Sequence, residues 1–368
     1  MKHLLFFVPL IFSVSAQASK SRLDSLGRSP HLVDSQSVYS RPLGIFELDP
    51  YLSLESGNSS PTGANDGSEG SLLQTTSPNS RVLLLLGHQG ELTIAPRLFL
   101  NAVSGSAFPL SQNPLHLFYG YKAEDTNYVA SVSYSRLQDK INSTSETSSE
   151  FSAGVEMGSL QLFGSYVVVN SAEAGGIKLN GAGGGAANIF YNLDTTTFFL
   201  TWSLSRAKSS INEVEDEFHS IQMAQLGLVE SKIKEERDYF WGGQVVTTKV
   251  DCHTQASAVC SGSFTRTRVP VWIGLEGQME SWLILRASIT QNFLIDQLKD
   301  EVGYPAAAVA GGNGAISEIG AGYNSTVVGF GAGLKFGNLL FDGSFKAATS
   351  QTLGQNDFLT QSAVTYNF

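Results

Sequence analysis

The sequence predicts an all-β fold, a closed, antiparallel, up-and-down β-barrel of about 14 strands that crosses a membrane. Charged residues make up only 15% of the chain, against about 25% in a typical domain. Glycine, at 37 of 368 residues, exceeds its usual share of about 7%. Several segments alternate apolar and polar residues, and no apolar run beyond the N-terminal leader reaches the length of a helical span. A closed barrel explains all three observations because its strands satisfy one another's backbone hydrogen bonds.

The alternation has the period of a strand with one face toward lipid. In NLLFDGSFKA, which begins at Asn338, Leu339 and Phe341 fall on one face and Asp342 on the other. The same pattern runs through TVVGFGAGLKF, SWLILRASIT, TTFFLTWSLSR and NYVASVSYSR. We expect the apolar faces to point outward and an even number of strands, 14 within a range of about 12 to 16.

The connections between these segments are of two kinds. Short turns are predicted at Gly158, at Gln278–Ser281 and at Gly337–Asn338. Longer polar or glycine-rich loops are predicted over 58–80, 170–185, 208–217 and 303–313. Short turns on one rim and long loops on the other are typical of outer-membrane barrels.

The N-terminus predicts export. A basic start at Lys2 and His3, an apolar run to Val14 and the sequence Ala16-Gln17-Ala18 form the layout of a cleaved signal peptide. We therefore divide the chain into a signal peptide (1–18), an N-terminal segment (19–43) and the barrel (44–368). The first strand is expected in PYLSLESG, which begins at Pro50.

The C-terminus places Val364, Tyr366 and Phe368 on one strand face, with an aromatic residue last. This pattern resembles the C-terminal signature of Gram-negative outer-membrane barrel proteins. The resemblance implies location in the outer membrane of a Gram-negative bacterium. It also implies that the last strand is the signal recognised by the barrel assembly machinery.

Residues 19–43 allow two interpretations. Leu26, Gly27, Asp34 and Pro42 are similar to the N-terminal segment of fatty-acid-transporter-type barrels, which folds into the lumen. The alternative is a periplasmic tail. A second ambiguity covers 211–228, which reads either as an amphipathic helix or, as we favour, as an acidic loop followed by a strand from His219 to Ile233.

Charged residues on the predicted inward faces are expected to line the lumen. A charge facing lipid near the bilayer midplane costs about 2–4 kcal/mol, so these side chains should face water or one another. They are Lys122, Glu156, Arg266, Arg268, Glu276, Arg286, Lys335, Asp342 and Lys346.

Cys252 and Cys260 bracket one short loop and predict a disulfide, because the compartment is oxidising. A metal site using these cysteines and His253 lacks a fourth ligand, so no metal is expected. The histidines fall in no catalytic motif, and only His88 and His116, near candidate strands, merit inspection. We expect no enzyme activity and no cofactor.

The sequence therefore predicts a porin-like channel for passive diffusion of small hydrophilic solutes. The alternatives are a non-conducting structural or surface-interaction barrel and a transporter for hydrophobic compounds. Loss of Lys2 with the signal peptide changes the net charge from −10 to −11, which disfavours nucleic acid as a partner. Expected partners are outer-membrane lipid and lipopolysaccharide, the assembly machinery, and further copies of the chain in a homo-oligomer.

Overall fold

A computed structural model describes the chain in segments. The described residues are 19–57, 67–90, 92–97, 108–109, 114–140, 143–174, 176–181, 183–206, 208–211, 214–216, 220–234, 237–253, 261–295, 325–348 and 361–368. The predicted signal peptide (1–18) lies outside them. Among the described helices, none is long and apolar enough to cross a membrane.

Within the described ranges, helical structure is confined to short pieces. They are α1 (Lys20–Ser25), two 3₁₀ turns (Ser37–Tyr39 and Pro42–Phe46) and a helical turn over 92–97. The remaining elements are β1 (Tyr51–Gly57), β2 (Gly67–Ser77), β3 (Ser80–Leu86), β4 (Leu115–Ala123), β5 (Thr126–Asp139), β6 (Thr144–Met157), β7 (Leu160–Ala174), β8 (Ile177–Asn180), β9 (Gly185–Leu193), β10 (Thr196–Arg206), β11 (Lys208–Ile211), β12 (Val214–Asp216), β13 (Ser220–Lys234), β14 (Arg237–His253), β15 (Ser261–Glu280), β16 (Leu283–Leu294), β17 (Ser325–Phe336), β18 (Leu339–Ala348) and β19 (Gln361–Asn367).

The strands form a closed antiparallel barrel, as predicted. Each barrel strand pairs with the next along the chain, and β1 pairs with β19 from Tyr51↔Asn367 to Gly57↔Gln361, which closes the ring. Three barrel strands consist of two segments each: β8 with β9, β10 with β11, and β12 with β13. The described residues therefore form 16 barrel strands.

The prediction of about 14 strands is wrong, and polar strands are the reason. β2 lies within the predicted loop 58–80, and most of its outward positions carry serine, glycine, glutamine or threonine rather than apolar residues. β8, β11 and β12 also fall in the predicted loops 170–185 and 208–217, where they extend the barrel strands of β9, β10 and β13 without adding to the count. These segments form strands because neighbouring strands offer backbone hydrogen-bond partners. The alternation of side chains in the sequence does not reveal such partners.

The outward and inward faces follow the predicted alternation. Phe341 is 40% exposed on the outside, whereas its neighbour Asp342 is 4% exposed and points into the lumen. At the C-terminus, Val364, Tyr366 and Phe368 are exposed on the outside. The barrel thus presents a belt of large apolar side chains to its surroundings, as lipid requires.

Short turns gather on one rim. Gly158 and Gly337 adopt φ of +58° and +60° in the turns after β6 and β17, a conformation that favours glycine. The turn after β15 connects Glu280 to Leu283. The longer connections, such as those after β1, β3 and β16, leave from the opposite rim.

The ambiguous stretch at 211–228 forms strands and no helix over its described residues. β11 and β12 pair at Ile211↔Val214, and β13 begins at Ser220. β13 then pairs with β14 as far as Lys234↔Arg237. The interpretation as a loop followed by a strand is confirmed, although part of the predicted acidic loop is strand β12.

The packed core of the molecule lies inside the barrel. Residues 19–48, which we call the plug, occupy the lumen, and most of their side chains are buried. The plug places α1 against β16, β17, β18 and β19. Gly329 makes room for this contact, because a Cβ there would lie 2.8 Å from the carbonyl oxygen of Ser25. The plug therefore occupies part of the lumen.

Candidate functional site

An ionic network joins the plug to the wall of the barrel. Arg22 in α1 donates from Nε to Oε2 of Glu276 at 2.8 Å and from Nη2 to Oε1 at 2.9 Å. Arg286 donates to Glu276 and to Asp342, each at 2.5 Å, and Ser19 donates to the other oxygen of Asp342 at 3.0 Å. Two cations thus alternate with two carboxylates in a buried site, and each carboxylate is neutralised.

A second polar contact holds the other side of the plug. Lys20 Nζ lies 3.1 Å from Oε1 of Glu69, and Gln36 donates to Oε2 of the same carboxylate at 2.7 Å. His88 Nδ1 lies 3.4 Å from Oε2 of Glu69, and the His88 ring stacks on Tyr39 with centroids 3.4 Å apart. The plug residues Lys20 and Gln36 therefore share the carboxylate of Glu69 in β2 with His88, which follows β3.

Asp34 is a titratable group within the plug itself. Its Oδ1 accepts hydrogen bonds from the backbone N–H groups of Gln36 at 2.9 Å and Ser37 at 2.7 Å. Burial raises the pKa of Asp34 to about 7, although the nearby Arg22 and the two backbone donors act in the opposite direction. The protonation of Asp34 therefore changes with docking of the plug.

Apolar contacts fix the C-terminal part of the plug. Val38, Leu43, Ile45, Phe46 and Leu48 pack on inward side chains of β1 to β5. We call this the anchor cluster; its wall residues are Tyr51, Leu73, Leu83, Leu85, Phe118 and Val129.

A separate apolar cluster lies on the other side of the lumen. From the plug it contains Leu23, Leu26 and Leu32. We call it the luminal apolar cluster; its wall residues are Phe190, Phe199, Val229, Phe240 and Trp272. These aromatic side chains point inward, so the lumen is not uniformly polar as the alternation had predicted.

An apolar groove of about 480 Å³ marks the lipid-facing side of the same wall. We call it the wall groove; it is lined by Leu228, Trp241, Gly242, Gly243, Val271, Trp272, Ile273, Ile289 and Gln291. Gly243 faces outward and Gly242 inward, so the wall carries no side chain on either face at this point. The register of β14 with β15 runs to Gly243↔Val271 and resumes at Val246↔Arg268. Pro270, which has no N–H, lies in the interval.

The wall groove and the luminal apolar cluster meet at one side chain. Trp272 contributes to both. Its indole packs on the inner side of Gly242, where a Cβ would lie 2.8 Å from Cζ2. Its Nε1 donates to Oγ of Ser29 in the plug at 2.9 Å.

The nine predicted lumen charges all occupy inward positions of their strands, but the structure brings only some of them together. Glu276, Arg286 and Asp342 form the network with Arg22. Glu156 accepts from Gln161 at 2.6 Å and also from Asn127. The remaining five are Lys122, whose Nζ lies 5.1 Å from the centroid of the Phe46 ring, and Arg266, Arg268, Lys335 and Lys346.

The next residues are the histidines and cysteines considered as candidates for catalysis or metal binding. His116 Nε2 lies 3.0 Å from the carbonyl oxygen of His88, and both rings pack around Tyr39. Cys252 lies at the end of β14, opposite Gly262. Cys260 lies outside the described residues, so the disulfide stays a prediction.

Sequence reasoning missed a buried pair near the long-loop rim. Arg97, in the helical turn over 92–97, donates to Glu146 at 2.8 Å, and both side chains are fully buried. Arg97 also donates to Oδ1 of Asn170. This contact pins part of the β3–β4 connection to β6 and β7. No local pattern in the sequence indicates it.

Comparison with known proteins finds only distant structural neighbours. No protein-family model and no curated protein matches the chain. Among solved structures, it is similar to a bacterial polysaccharide outer membrane secretin (7% identity, TM-score 0.47, covering 87% of this chain and 98% of that one). It is also similar to a Pseudomonas aeruginosa FadL homologue (10% identity, TM-score 0.47, covering 95% and 98%). A third is the CymD monoaromatic hydrocarbon channel (10% identity, TM-score 0.43, covering 95% and 97%). At this level the likeness carries no information on what this chain transports.

The class of the protein follows from its own fold. A closed, even-numbered antiparallel barrel with an outward apolar belt, short turns on one rim and longer connections on the other is the architecture of outer-membrane proteins. The chain is an integral β-barrel protein of the outer membrane of a Gram-negative bacterium.

Proposed function

We propose that the protein transports small hydrophobic compounds across the outer membrane. One observation carries the proposal: a lipid-facing apolar groove is backed by an apolar cluster in the lumen, and the two meet at Gly242 and Trp272 of the paired strands β14 and β15. Binding of an apolar solute is favourable at both places, by about 25 cal/mol per Å² of apolar surface removed from water.

The plug supports this proposal over a permanently open pore. At its level the lumen is crossed by the Arg22–Glu276–Arg286–Asp342 network and by the anchor cluster. A hydrophilic solute moving along the barrel axis would have to break buried ion pairs. An apolar solute bound in the luminal apolar cluster would disturb only apolar contacts.

Filling the wall groove tests the proposal. Gly243→Trp would place an indole in the groove, because Gly243 points outward and a Cβ there already lies 3.3 Å from Val271. Gly164→Trp is the matched control, since Gly164 also faces outward and its Cβ would meet only one atom, at 3.7 Å. Cells carrying each variant would be assayed for uptake of radiolabelled naphthalene. We expect Gly243→Trp to reduce uptake toward that of cells without the protein, and Gly164→Trp to leave it unchanged. Equal uptake by both variants would refute the proposal.

The porin-like channel for small hydrophilic solutes is the second candidate. Arg266, Arg268 and Lys346 occupy inward positions, and a water-filled path beside them would attract anions. Purified protein in a planar bilayer separates the candidates: stepwise conductance supports the porin. Absence of conductance in the bilayer, together with naphthalene uptake by cells, supports the hydrophobic transporter. A silent bilayer without uptake supports the structural or surface-interaction barrel.

Three further expectations from the sequence stay proposals. The barrel contacts lipopolysaccharide and outer-membrane lipid, is inserted by the barrel assembly machinery, and forms homo-oligomers. We also retain the proposal that it is not an enzyme.

A further inference from the structure

We propose that the α-ammonium group of Ser19, released by signal-peptide cleavage after Ala18, binds Glu55 and Asp342 inside the barrel and completes the docking of the plug. This inference goes beyond the proposed function and does not depend on the cargo. It rests on the predicted cleavage site and on the buried surroundings of Ser19.

The position of Ser19 carries the first step. Ser19 is fully buried, and its Oγ donates to Oδ2 of Asp342 at 3.0 Å. The next backbone N–H, that of Lys20, donates to Oε2 of Glu55 at 2.8 Å. Ser19 has an extended ψ of 160°, so its nitrogen lies about 3.6 Å from that of Lys20. The predicted mature N-terminus thus lies beside two carboxylates of the barrel wall.

The charge balance around Ser19 carries the second step. The network of Arg22 already has one cation for each carboxylate, and Lys20 pairs with Glu69. Glu55 is 7% exposed, and its donors are neutral: the backbone N–H of Lys20 and the hydroxyl of Ser35, at 3.2 Å. Over the described ranges, no ion pair includes Glu55. A buried carboxylate is unfavourable without a cation, so an ionised Glu55 needs one more positive charge.

Cleavage of the signal peptide supplies that charge. Hydrolysis of the Ala18–Ser19 amide bond consumes one water, leaves a carboxylate on Ala18 and gives Ser19 an amino group that is mostly protonated at neutral pH. The ammonium has three N–H donors, enough to serve Glu55 and Asp342 together. In the precursor the same nitrogen is an uncharged amide. The plug therefore docks completely only after export and cleavage.

The first measurement determines where the mature chain begins and whether its end is buried. Protein purified from outer membranes should have the intact mass of a chain that begins at Ser19. Periodate oxidises an N-terminal serine with a free amino group to an aldehyde, which mass spectrometry detects. We expect the folded barrel to react more slowly than denatured protein by about tenfold or more. A mature chain that begins elsewhere, or equal rates in the two states, overturns the proposal.

A one-residue extension tests the ammonium itself. Glycine inserted between Ala18 and Ser19 keeps both small residues of the cleavage site, Ala16 and Ala18, and moves the ammonium by about 3.6 Å. Hydrogen exchange of α1 in the folded barrel reports the docking of the plug. Heat-modifiable migration on gels verifies that each barrel is folded.

The extension is then combined with two substitutions. Glu55→Gln removes the carboxylate that lacks a cation. Glu156→Gln is the matched control, since Glu156 also points inward and accepts from neutral groups, those of Gln161 and Asn127. Its strand, β6, pairs with neither β1 nor β18.

We expect the extension to speed the exchange of α1 about tenfold in the parent and in Glu156→Gln, the change expected for loss of one hydrogen bond to a charged group. Its effect should be clearly smaller in Glu55→Gln, which by itself should already speed the exchange. An equal effect in all three backgrounds overturns the proposal, because the added residue would then act by its bulk alone. If the extended chain does not fold, the two substitutions decide, and equal exchange in Glu55→Gln and Glu156→Gln overturns the proposal. No readout involves transport, so failure here and failure of the proposed function are separate outcomes.

Discussion

Arg22 and Glu276 are joined by two parallel hydrogen bonds, 2.8 Å and 2.9 Å long, that tie the plug to strand β15. The guanidinium fork matches both carboxylate oxygens, the strongest geometry for such a pair. Both side chains are almost entirely buried. The pair therefore determines how firmly the N-terminal half of the plug is held.

Replacing Arg22 should release that half of the plug. Arg22→Met removes one of two cations from a network with two carboxylates, and breaking a buried pair costs roughly 3–5 kcal/mol. Limited proteolysis of the folded barrel should cut the plug faster than in the parent. The double variant Arg22→Met/Glu276→Gln restores the charge balance, so its plug should be cut more slowly than that of the single variant. A double variant as sensitive as the single one would show that charge balance is not what holds α1.

Docking of the plug should weaken as the pH rises from about 4 to 7. Docked Asp34, with a pKa of about 7, stays mostly protonated below that pH, whereas undocked Asp34 with its ordinary pKa of 3.8 loses its proton. Stability therefore falls with increasing pH, by at most about 1.4 kcal/mol per pH unit for one proton, and this contribution becomes constant once the pH has passed through 7. Hydrogen exchange of the plug at pH 4.5 and 7 measures this change of docking stability with pH. Asp34→Asn should flatten it; an identical slope in that variant would assign the effect to other groups.

Removing the terminal aromatic should impair assembly. If Phe368 belongs to the signal read by the assembly machinery, its deletion should lower the amount of folded barrel in outer-membrane fractions several-fold. Phe336→Ala is the control, because Phe336 also faces outward and lies at the same rim, at the end of β17. Equal losses in the two variants would indicate a general need for aromatic residues at this rim.

The predicted disulfide can be tested by counting reactive thiols. Denatured protein should show no thiol that reacts with maleimide before reduction and two afterwards, at Cys252 and Cys260. In the chain-entropy model a ring of this size contributes at most about 2.5 kcal/mol. Cys252→Ser should therefore lower stability only modestly. Two reactive thiols without reductant would rule out the bond.

The lipid-facing half of the fold was predictable because lipid imposes the same requirement on every strand. Leu339, Phe341 and Asp342 can be assigned to their faces from local sequence alone. Strand β2 was missed because its outward face is mostly polar and its pairing, rather than its side chains, makes it a strand.

The inner half depends on partners that are distant in sequence. Arg22 and Glu276 are 254 positions apart, and neither residue type indicates the other. Phe199 follows Phe198 in the chain, but only the plug explains why an aromatic residue points inward. A run of adjacent apolar residues, such as Leu83-Leu84-Leu85, was the available signal that the lumen holds something to pack against.

Leu83 and Leu85 turn inward and belong to the anchor cluster. Without residues 38–48, the barrel would expose these inward apolar side chains to water. We therefore expect residues 38–48 to stay in place as part of the folded interior. The lumen therefore has one side, at β1–β5, that the anchor cluster occupies. Under the proposed function, we expect a solute to pass along the opposite side, beside the luminal apolar cluster at β9–β15.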